Sequence, residues 1–330
     1  MHALSIYKLF ACQKIKAIVE FFVSVKIVIK ENKIFLSVDV DPVWLARWAT
    51  GSVNSLWPDC ESCFSDLYGG TSPPDTLSEP IDKILRLFDE LNFKSTFFFT
   101  GYIAELFPNL VKKIAAEGHE IGCHNYEHLD YEYESREKFR NDLEKSKKLL
   151  ETLLGKEVIG YRSPNSSVPK SIVEDLLEFG IKYDSSVTPT RRIMGKFGDF
   201  TNAPQRPYHS KKENIGKEGD SDLVELPWAV FPLLKLPAGS GITHRIFGNV
   251  YNNLALNSSL KKGHTAYYFH PYEITQVEEM KKMHLPLKAK IFLQNCGDRY
   301  FQMLSIFLRK HQSRLVNGEG LYELVKATTS

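Results

Sequence analysis

Two histidines and an aspartate are the clearest candidates for chemistry in this sequence. His124 and His128 stand four residues apart, a spacing that lets both imidazoles reach one metal ion from one helical face or across one turn. Two histidines leave a catalytic metal site one ligand short, and a carboxylate such as Asp41 is the usual third. Without that aspartate, two structural histidines would be the better interpretation. We therefore expect a metal centre made of Asp41, His124 and His128.

A second aspartate stands close to the first. Asp39 and Asp41 are separated by Val40, and in an extended chain residues two apart point to the same side. Both carboxylates would then face one pocket, where one binds the metal and the other accepts a proton from water. A polar strand end with turn-forming aspartates before Pro42 explains the pair equally well.

The candidate residues share one position relative to the strands that the sequence predicts. Apolar runs predict strands at 34–38, 95–100, 120–123, 158–161, 181–183, 223–226 and 265–269, and helical periodicities alternate with them. This alternation implies a parallel sheet. The ionisable residues that directly follow a predicted strand are Asp39, Asp41, His124, His128, Arg162, Asp184 and His270. Since α/β barrels build their active sites at the carboxyl ends of the strands, we expect one site there.

Five short motifs occur in order along the chain. They are Val-Asp-Val-Asp at 38–41, His-Asn-Tyr-Glu-His at 124–128, Gly-Tyr-Arg-Ser-Pro at 160–164, Tyr-Asp-Ser-Ser at 183–186 and Tyr-Phe-His-Pro-Tyr-Glu at 268–273. Together they resemble the motifs of the polysaccharide deacetylases, the NodB-homology group or carbohydrate esterase family four. The resemblance implies an α/β fold, a distorted (β/α) barrel with parallel strands. It also implies a divalent metal, with Zn²⁺ preferred and Co²⁺, Ni²⁺ or Mn²⁺ as alternatives.

The resemblance also implies a role for each matching residue. The residues that would bind the metal are Asp41, His124 and His128. The residues that would take part in catalysis are the base Asp39, its orienting partner Arg162, the acid His270 and its orienting partner Asp184. A structural ion pair is the alternative for Arg162, and a purely structural turn before Pro271 is the alternative for His270.

The sequence departs from the commonest family pattern at four points. Val40 separates the two aspartates, Asn125 replaces a serine or threonine, Asn165 replaces a tyrosine, and no tryptophan follows Asp184. The Asp-x-Asp arrangement resembles a branch found in exopolysaccharide and cell-wall gene contexts, together with formyl-removing relatives. These differences do not change the residues expected to bind the metal, but they leave the substrate undetermined.

Aromatic side chains near the motifs are candidates for stacking on a sugar ring. Trp44, Trp48 and Tyr126 could stack on a sugar ring, and packing in the core or at the rim of the pocket explains them equally well. Trp228 could shape the acyl pocket. We assign Trp44, Tyr126 and Trp228 to substrate binding, together with Pro164 of the third motif.

The expected function is removal of an N-acetyl group from an amino sugar of a polysaccharide or of a lipid-linked glycan precursor. The same residues would serve a deformylase or another small-amide hydrolase. A catalytically silent glycan-binding barrel is a further interpretation. The presence of both Asp39 and His270 beside a complete ligand set argues against it.

Composition and charge limit the partners and the compartment. A net charge of +2 over 330 residues is too small to favour nucleic acid, and five cysteines without regular spacing do not form a secreted disulfide framework. The apolar run at 18–29 is interrupted by Glu20, Ser24 and Lys26 and is short for a bilayer span. We expect a cytoplasmic protein, with peripheral membrane contact as the alternative.

Three segments are expected along the chain. They are an N-terminal extension at 1–33, a catalytic barrel at 34–275 and a C-terminal helical segment at 276–330.

Overall fold

The computed structural model describes residues 31–52, 55–70, 72–192, 199–231, 234–275, 279–283, 285 and 287–329. The expected extension at 1–33 lies outside these ranges except for its last three residues. From Asn32 onward the chain forms one compact unit, so the boundary expected at residue 275 falls within it. Within the described ranges, no helix combines the length and the apolar character that crossing a bilayer requires.

The strands of the described residues form one large sheet and one small hairpin. They are β1 (Ile34–Asp39), β2 (Thr96–Phe99), β3 (Glu120–Cys123), β4 (Gly160–Tyr161), β5 (Tyr183–Asp184), β6 (Tyr208–Lys211), β7 (Asn214–Glu218), β8 (Val224–Glu225), β9 (Val230–Phe231), β10 (Leu236–Pro237), β11 (Thr265–Phe269) and β12 (Leu315–Val316). The large sheet has the order β11–β1–β2–β3–β4–β5–β8–β6–β7, and β9 pairs with β10. Every pair from β11 to β8 is parallel.

Helices fill many of the connections between these strands. In the described residues they are α1 (Cys60–Tyr68), α2 (Ser78–Glu90), α3 (Gly101–Leu106), α4 (Pro108–Ala116), α5 (Arg136–Leu154), α6 (Val173–Glu178), α7 (Gly241–Leu260), α8 (Glu279–Lys282), α9 (Leu287–Phe292), α10 (Asp298–His311) and α11 (Gly318–Thr329). Local signals set their ends. Helix α5 begins after Ser135, whose hydroxyl accepts the Lys138 N–H, and ends at Gly155 in the left-handed conformation.

The central strands are buried, which explains why their sequences are almost continuously apolar. All six residues of β1 are buried, and so are all five residues of β11, its parallel neighbour. Helix α2 covers the core with Ile81, Ile84 and Phe88, which recur at helical spacing and are fully buried. Burial on this scale fixes the strand ends, and with them the residues that follow.

The sheet curls until its two ends approach each other. Trp228, in the segment after β8, forms a parallel bridge with Ala266 of β11. The Trp228 backbone N–H donates to the carbonyl of Val187, and the next N–H donates to the carbonyl of Ala266 at 3.1 Å. This segment therefore joins the β5 side of the sheet to β11. The predicted fold class, an α/β distorted barrel with parallel strands, is confirmed.

Three regions contain strands that the sequence did not predict, and one of them is the short hairpin β9–β10. The polar stretch from 191 to 219, where no strand was predicted, contains the hairpin β6–β7, which pairs antiparallel with β8. Tyr208 and Ile215 are buried there, but two apolar positions are too few to produce a readable alternation. Strand β12 pairs in parallel with the start of β1 within the C-terminal segment expected to be helical. Its two residues are also too short for a pattern.

Candidate metal centre and active site

One pocket lies at the carboxyl ends of the parallel strands. Among its lining residues are Asp39 and Asp41 after β1, His124 and His128 after β3, and His270 after β11. Since parallel strands present their carboxyl ends at the same edge, residues that are far apart in sequence meet here.

Asp41, His124 and His128 form a compact triangle of ligand atoms. Asp41 Oδ2 lies 3.1 Å from His128 Nε2 and 3.8 Å from His124 Nε2. One ligand atom from each residue lies within 4.8 Å of the other two, and all three side chains are buried. A metal bound to imidazole and carboxylate ligands at about 2.0–2.2 Å can be reached by all three residues of such a triangle.

Contacts behind the two histidines fix the ring of His124 and the backbone of His128. His124 Nδ1 lies 2.6 Å from the backbone carbonyl oxygen of Arg162, which can only accept, so Nδ1 donates and Nε2 keeps its lone pair. The backbone of His128 packs against Gly51, where a Cβ would lie 1.7 Å from the His128 carbonyl oxygen. Gly51 has a φ of +81°, so a glycine is required on both counts.

The electrostatics of the triangle favour a cation. Burial acts to raise the pKa of Asp41, but the imidazoles of His128, His124 and His270 outweigh it and hold that pKa below its ordinary value. Asp41 Oδ1 is buried and has no hydrogen-bond partner among the described residues. An ionised carboxylate with a spare oxygen and two imidazoles is the donor set of a catalytic zinc site. The residues present therefore fit a divalent metal ion.

Arg162 holds the second carboxylate, Asp39. Its guanidinium is fully buried and donates from Nη1 to Asp39 Oδ1 at 2.6 Å. Nη1 also donates to Ser37 Oγ at 2.6 Å, while Nε and Nη2 donate to the carbonyl and the hydroxyl of Ser185 at 2.9 Å each. The ring of Phe98 lies 4.5 Å from the guanidinium carbon. Asp39 therefore has a fixed position beside the ligand triangle.

His270 approaches the triangle from the end of β11. Its Nε2 lies 3.9 Å from Asp41 Oδ2, and its ring stacks on Tyr272 with centroids 5.0 Å apart. Glu273 Oε2 accepts the His270 backbone N–H at 2.9 Å and lies 3.6 Å from Nδ1, a charge contact that is too long for a hydrogen bond. Burial acts to lower the pKa of His270, but Glu273 outweighs it and raises that pKa. Glu273 therefore favours a protonated imidazole.

Arg245 of α7 fixes the other oxygen of Glu273. It donates from Nη2 and Nε to Glu273 Oε1 at 2.7 and 3.2 Å, and both side chains are buried. Burial acts to raise the pKa of Glu273, but the Arg245 charge outweighs it and lowers that pKa to about 2. Arg245 Nη1 also donates to the Gln294 carbonyl at 2.7 Å. His270, Glu273 and Arg245 thus form a row of alternating charge that runs from the pocket into the core.

Aromatic and polar side chains form the walls of the pocket. The described aromatic residues of the lining are Trp48, Trp228, Tyr268, Tyr272 and Phe292, and its polar residues outside the metal and acid–base groups are Arg47, Ser163, Asn165 and Ser166. The rings of Trp228 and Tyr268 lie 4.0 Å apart, and Trp228 Nε1 donates to the Ser185 carbonyl at 2.8 Å. Apolar faces beside hydrogen-bonding groups suit a sugar ring, which presents C–H surfaces and hydroxyls.

Two family models match adjacent parts of the chain. The model described as polysaccharide deacetylase matches residues 63–183, and the model described as a domain of unknown function, DUF3473, matches residues 185–317. The ordered motifs, the curled parallel sheet and the site at its carboxyl edge agree with the first description. Residues 63–183 of the chain match the polysaccharide deacetylase family.

Two named relatives match part of the chain. The peptidoglycan deacetylase of Helicobacter pylori is 33% identical over 175 residues, which are 51% of this chain and 55% of that protein. The peptidoglycan-N-acetylglucosamine deacetylase of Bacillus cereus is 44% identical over 73 residues, which are 22% of this chain and 26% of that protein. The matches therefore span about half of the first relative and about a quarter of the second.

A crystal structure from Mycobacterium smegmatis, described as a candidate polysaccharide deacetylase, has the same fold over most of its length. It matches with a TM-score of 0.55 at 21% identity and covers 90% of this chain and 92% of that chain. At this identity the likeness concerns the fold alone.

The boundary between the two family models passes through the site. The polysaccharide deacetylase model includes His124, His128 and Arg162, whereas the domain of unknown function includes Trp228, Arg245, His270 and Glu273. Asp39 and Asp41 precede both matches. The pocket is therefore assembled from both matched regions and from the first strand.

Asp184 does not have the contacts that an orienting partner of His270 would need. Its Oδ1 accepts the Ser186 hydroxyl at 2.6 Å, and its Oδ2 accepts the Ser186 N–H at 3.0 Å. Burial raises the pKa of Asp184 and of the neighbouring Glu225. Asp184 is also absent from the described lining of the pocket, which includes His270. The structure thus corrects the expected role, since Glu273 is the carboxylate beside His270.

Glu273 is a residue that the sequence analysis missed, although the signal was present. It stands three residues after His270 within the last motif and forms a capping box with it. A carboxylate at this spacing accepts the first N–H of a helical turn. Arg245 had no such signal, because only the packing of α7 against the turn at 271–274 brings it to Glu273.

Trp44 and Tyr126 are absent from the described lining of the pocket, which contradicts their expected stacking on a sugar. Trp44 is fully buried and packs edge-to-face on Phe64, with ring centroids 4.7 Å apart. Tyr126 donates its hydroxyl to Glu105, and the Lys145 ammonium lies 3.4 Å from its ring centroid. Packing, the alternative explanation, accounts for both side chains.

The other two tryptophan candidates, Trp48 and Trp228, do line the pocket. Pro164 is buried and is absent from the described lining, which contains Asn165 and Ser166 instead. Both have left-handed backbones, with φ of 57° and 54°. Such conformations cost about 1–3 kcal/mol each for residues other than glycine and cluster at functional sites. The loop after β4 is therefore held in a strained shape at the edge of the pocket.

Proposed function

We propose that this chain is a metal-dependent hydrolase that removes an N-acetyl group from an amino sugar of a polysaccharide or lipid-linked glycan. One observation carries the proposal: a carboxylate, Asp39, and an imidazole, His270, lie in the same pocket as a complete metal-ligand triangle. Hydrolysis of an amide needs an activated water, a base and an acid. A metal site that lacked the last two would be suited to binding alone.

Three residues would hold the metal. These are Asp41, His124 and His128, with Zn²⁺ as the first candidate and Co²⁺, Ni²⁺ or Mn²⁺ as alternatives. When bound, a divalent cation polarises the acyl carbonyl and makes a water molecule more acidic. Three protein ligands leave further coordination positions free for water and substrate.

Asp39 would act as the base that takes a proton from the attacking water. Its Oδ1 is bonded to Arg162, which leaves Oδ2 to receive the proton. Arg162 is held by further hydrogen bonds to Ser37 and Ser185, so the carboxylate is fixed before the substrate arrives. A base that is already positioned avoids the entropic cost of ordering it during the reaction.

His270 would donate a proton to the amine nitrogen as the C–N bond breaks. An amine departs readily only when it is protonated, so the step needs an acid on the nitrogen side. Glu273 stabilises the protonated imidazole, and Arg245 keeps Glu273 ionised and in place. The proton taken up by Asp39 and the proton released by His270 balance the reaction.

The walls of the pocket favour a carbohydrate as the substrate. Trp48 and Trp228 offer aromatic faces, while Ser163 offers a hydrogen-bonding group. The relatives from Helicobacter pylori and Bacillus cereus are named as peptidoglycan deacetylases. Acetylated amino sugars of a cell-wall polysaccharide are therefore the first substrates to test.

Release of acyl groups from a defined panel tests the proposal. The panel contains N-acetylated and N-formylated amino-sugar oligosaccharides, peptidoglycan fragments and lipid-linked glycans, each with and without a chelator. We expect acetate release that stops with chelator and returns with zinc, and no release by the Asp39→Asn variant. Formate release alone would replace the deacetylase with a deformylase. A protein that binds zinc but releases nothing from the whole panel would contradict hydrolysis.

A further inference from the structure

Helix α7 exposes a row of large apolar side chains on its outer face. Phe247 is 56% exposed, Val250 75% and Leu254 61%, and Leu234, beside the β9–β10 hairpin, is 50% exposed. We call these four residues the α7 apolar surface. Val250 and Leu254 are four residues apart and lie on one side of the helix. Gly248, with φ of 78° and ψ of 177°, interrupts the helical geometry before them, and Phe247 joins the stripe through its ring contact with Tyr251.

The helix and the hairpin form one continuous surface. The ring of Tyr251 lies 4.9 Å from that of Phe247 and stacks on Phe231 with centroids 6.1 Å apart. The Tyr251 hydroxyl also donates to the Pro237 carbonyl of β10 at 2.9 Å. These contacts fix the stripe of α7 relative to the hairpin beside Leu234.

The polarity of α7 is unusual for a helix at the surface of a globular protein. Its buried side includes the polar residues His244, Arg245, Asn252 and Ser259, whereas its exposed side carries the apolar stripe. A surface helix normally presents polar residues to water, and a contiguous exposed apolar patch marks an interaction site.

Lysine side chains lie next to the α7 apolar surface in the chain, beside Leu234 and at the C-terminal end of α7. Lys261 follows Leu254 by seven residues, which places it on the same side of the helix at its C-terminal end. Lys235 follows Leu234, and it lines one surface pocket together with Arg206 and Lys262. Its ammonium donates to the Thr201 carbonyl and the Asn202 side chain, both uncharged, whereas Arg206 is paired with Glu218. Three lysines thus add positive charge beside the apolar stripe.

This combination fits an anionic lipid surface better than a second copy of the chain. A stable dimer buries about 800 Å² on each partner, which is more than four partly exposed side chains provide. An interfacial helix needs only an apolar face of this width with Lys or Arg beside it, because the lysines attract anionic headgroups while the apolar side chains enter the acyl boundary. We infer that the α7 apolar surface docks on a membrane that contains anionic lipids.

Docking would also place the pocket close to the lipid surface. Ile242, in the first turn of α7, lines the pocket, and Val250 and Leu254 follow in the same element after the break at Gly248. On the proposed function, the substrate would then be a glycan attached to lipid or lying at the membrane surface. The docking itself does not depend on catalysis.

Cosedimentation of the full chain with vesicles tests the inference. The vesicles contain phosphatidylcholine alone or with about one third phosphatidylglycerol, an anionic lipid. We expect binding to the anionic vesicles that weakens at high salt. The double variant Val250→Glu, Leu254→Glu should bind about tenfold more weakly or worse, because it places charge in the apolar face. The double variant Lys261→Glu, Lys262→Glu should weaken binding to the anionic vesicles and leave any binding to pure phosphatidylcholine vesicles unchanged.

Ile306 offers the matched control, since it is 62% exposed on α10 and equally apolar. Ile306→Glu should bind vesicles like the unmodified protein. Failure of the unmodified protein to bind, or equal binding by the Val250→Glu, Leu254→Glu variant, would overturn the inference. A dimer in light scattering that this variant dissociates would assign the surface to a second copy instead. Acetate release from a soluble oligosaccharide by the same variant reports on the proposed function separately.

Discussion

The two sides of the pocket are built on different supports. On the ligand side, Asp39 ends β1, and Asp41 and His124 come just after parallel strands. Arg162, which follows β4, donates to Asp39 and accepts through its carbonyl from His124. On the acid side, His270 depends on Glu273 of a short turn, which in turn depends on Arg245 of α7.

This difference predicts how each side responds to substitution. The ligand side is fixed by strand register, and on the proposed function each of its residues would hold the metal or the base directly. The acid side acts through two successive ion pairs, so its outer members position His270 without touching substrate. We expect loss of a ligand to abolish activity and loss of a positioning residue to reduce it.

The largest effect is expected for His124→Ala. The variant removes one of three ligands, so it should lose both the metal and measurable acetate release. Metal content by atomic absorption and acetate release by an enzyme-coupled assay provide the check. His209→Ala, a histidine outside the pocket lining, is the control and should keep both. A His124→Ala protein that still binds one equivalent of zinc tightly would remove His124 from the ligand set.

A smaller, graded effect is expected for Glu273→Gln. The glutamine carbonyl can still accept the His270 backbone N–H, but the neutral amide cannot stabilise a protonated imidazole. We therefore expect kcat to fall about 100-fold, equivalent to about 2.7 kcal/mol in the barrier. KM and metal content should stay near their original values. Glu273→Asp, which restores the charge, should recover part of the loss.

Asp184→Asn separates the two candidate partners of His270. Because Asp184 bonds Ser186 and lies beside Glu225, we expect kcat to change by less than about threefold in a variant that still folds. A larger loss in Asp184→Asn than in Glu273→Gln would return the orienting role to Asp184. Steady-state kinetics with matched thermal unfolding curves distinguish the outcomes.

These same supports explain which residues could be predicted from the sequence. Asp41, His124 and Arg162 follow strands whose apolar runs are readable, so the strand ends located them together. Glu273 was visible only as a capping position, and Arg245 was not visible, because its contact arises from helix packing between distant parts of the chain.

The strands of the fold could likewise be predicted only where buried apolar residues form a readable pattern. The buried strands β1 and β11 have apolar sequences, and their predicted positions agree with the structure to within a residue at each end. The hairpin β6–β7 and the two-residue β12 have too few buried positions to give a period. Trp44 was misjudged for a related reason, since an aromatic residue near a motif has the same sequence signature whether it faces the pocket or the core.

The smallest effect is expected in the aromatic wall. Trp48→Ala should raise KM about tenfold with little change in kcat, because the indole contacts the sugar equally in the ground state and the transition state. Tyr126→Phe is the matched control, since its hydroxyl bonds Glu105 and is absent from the described pocket lining. Equal effects of the two variants on KM would contradict the assignment of the wall.

The central claim is that Asp39 and Asp41, two residues apart, have different functions. The most direct test measures bound zinc and acetate release in Asp39→Asn and Asp41→Asn side by side. We predict that Asp39→Asn keeps about one equivalent of zinc and loses turnover by a factor of about 100 or more, whereas Asp41→Asn loses the zinc as well. Loss of zinc in both variants, or near-normal turnover in Asp39→Asn, would contradict the division between base and ligand.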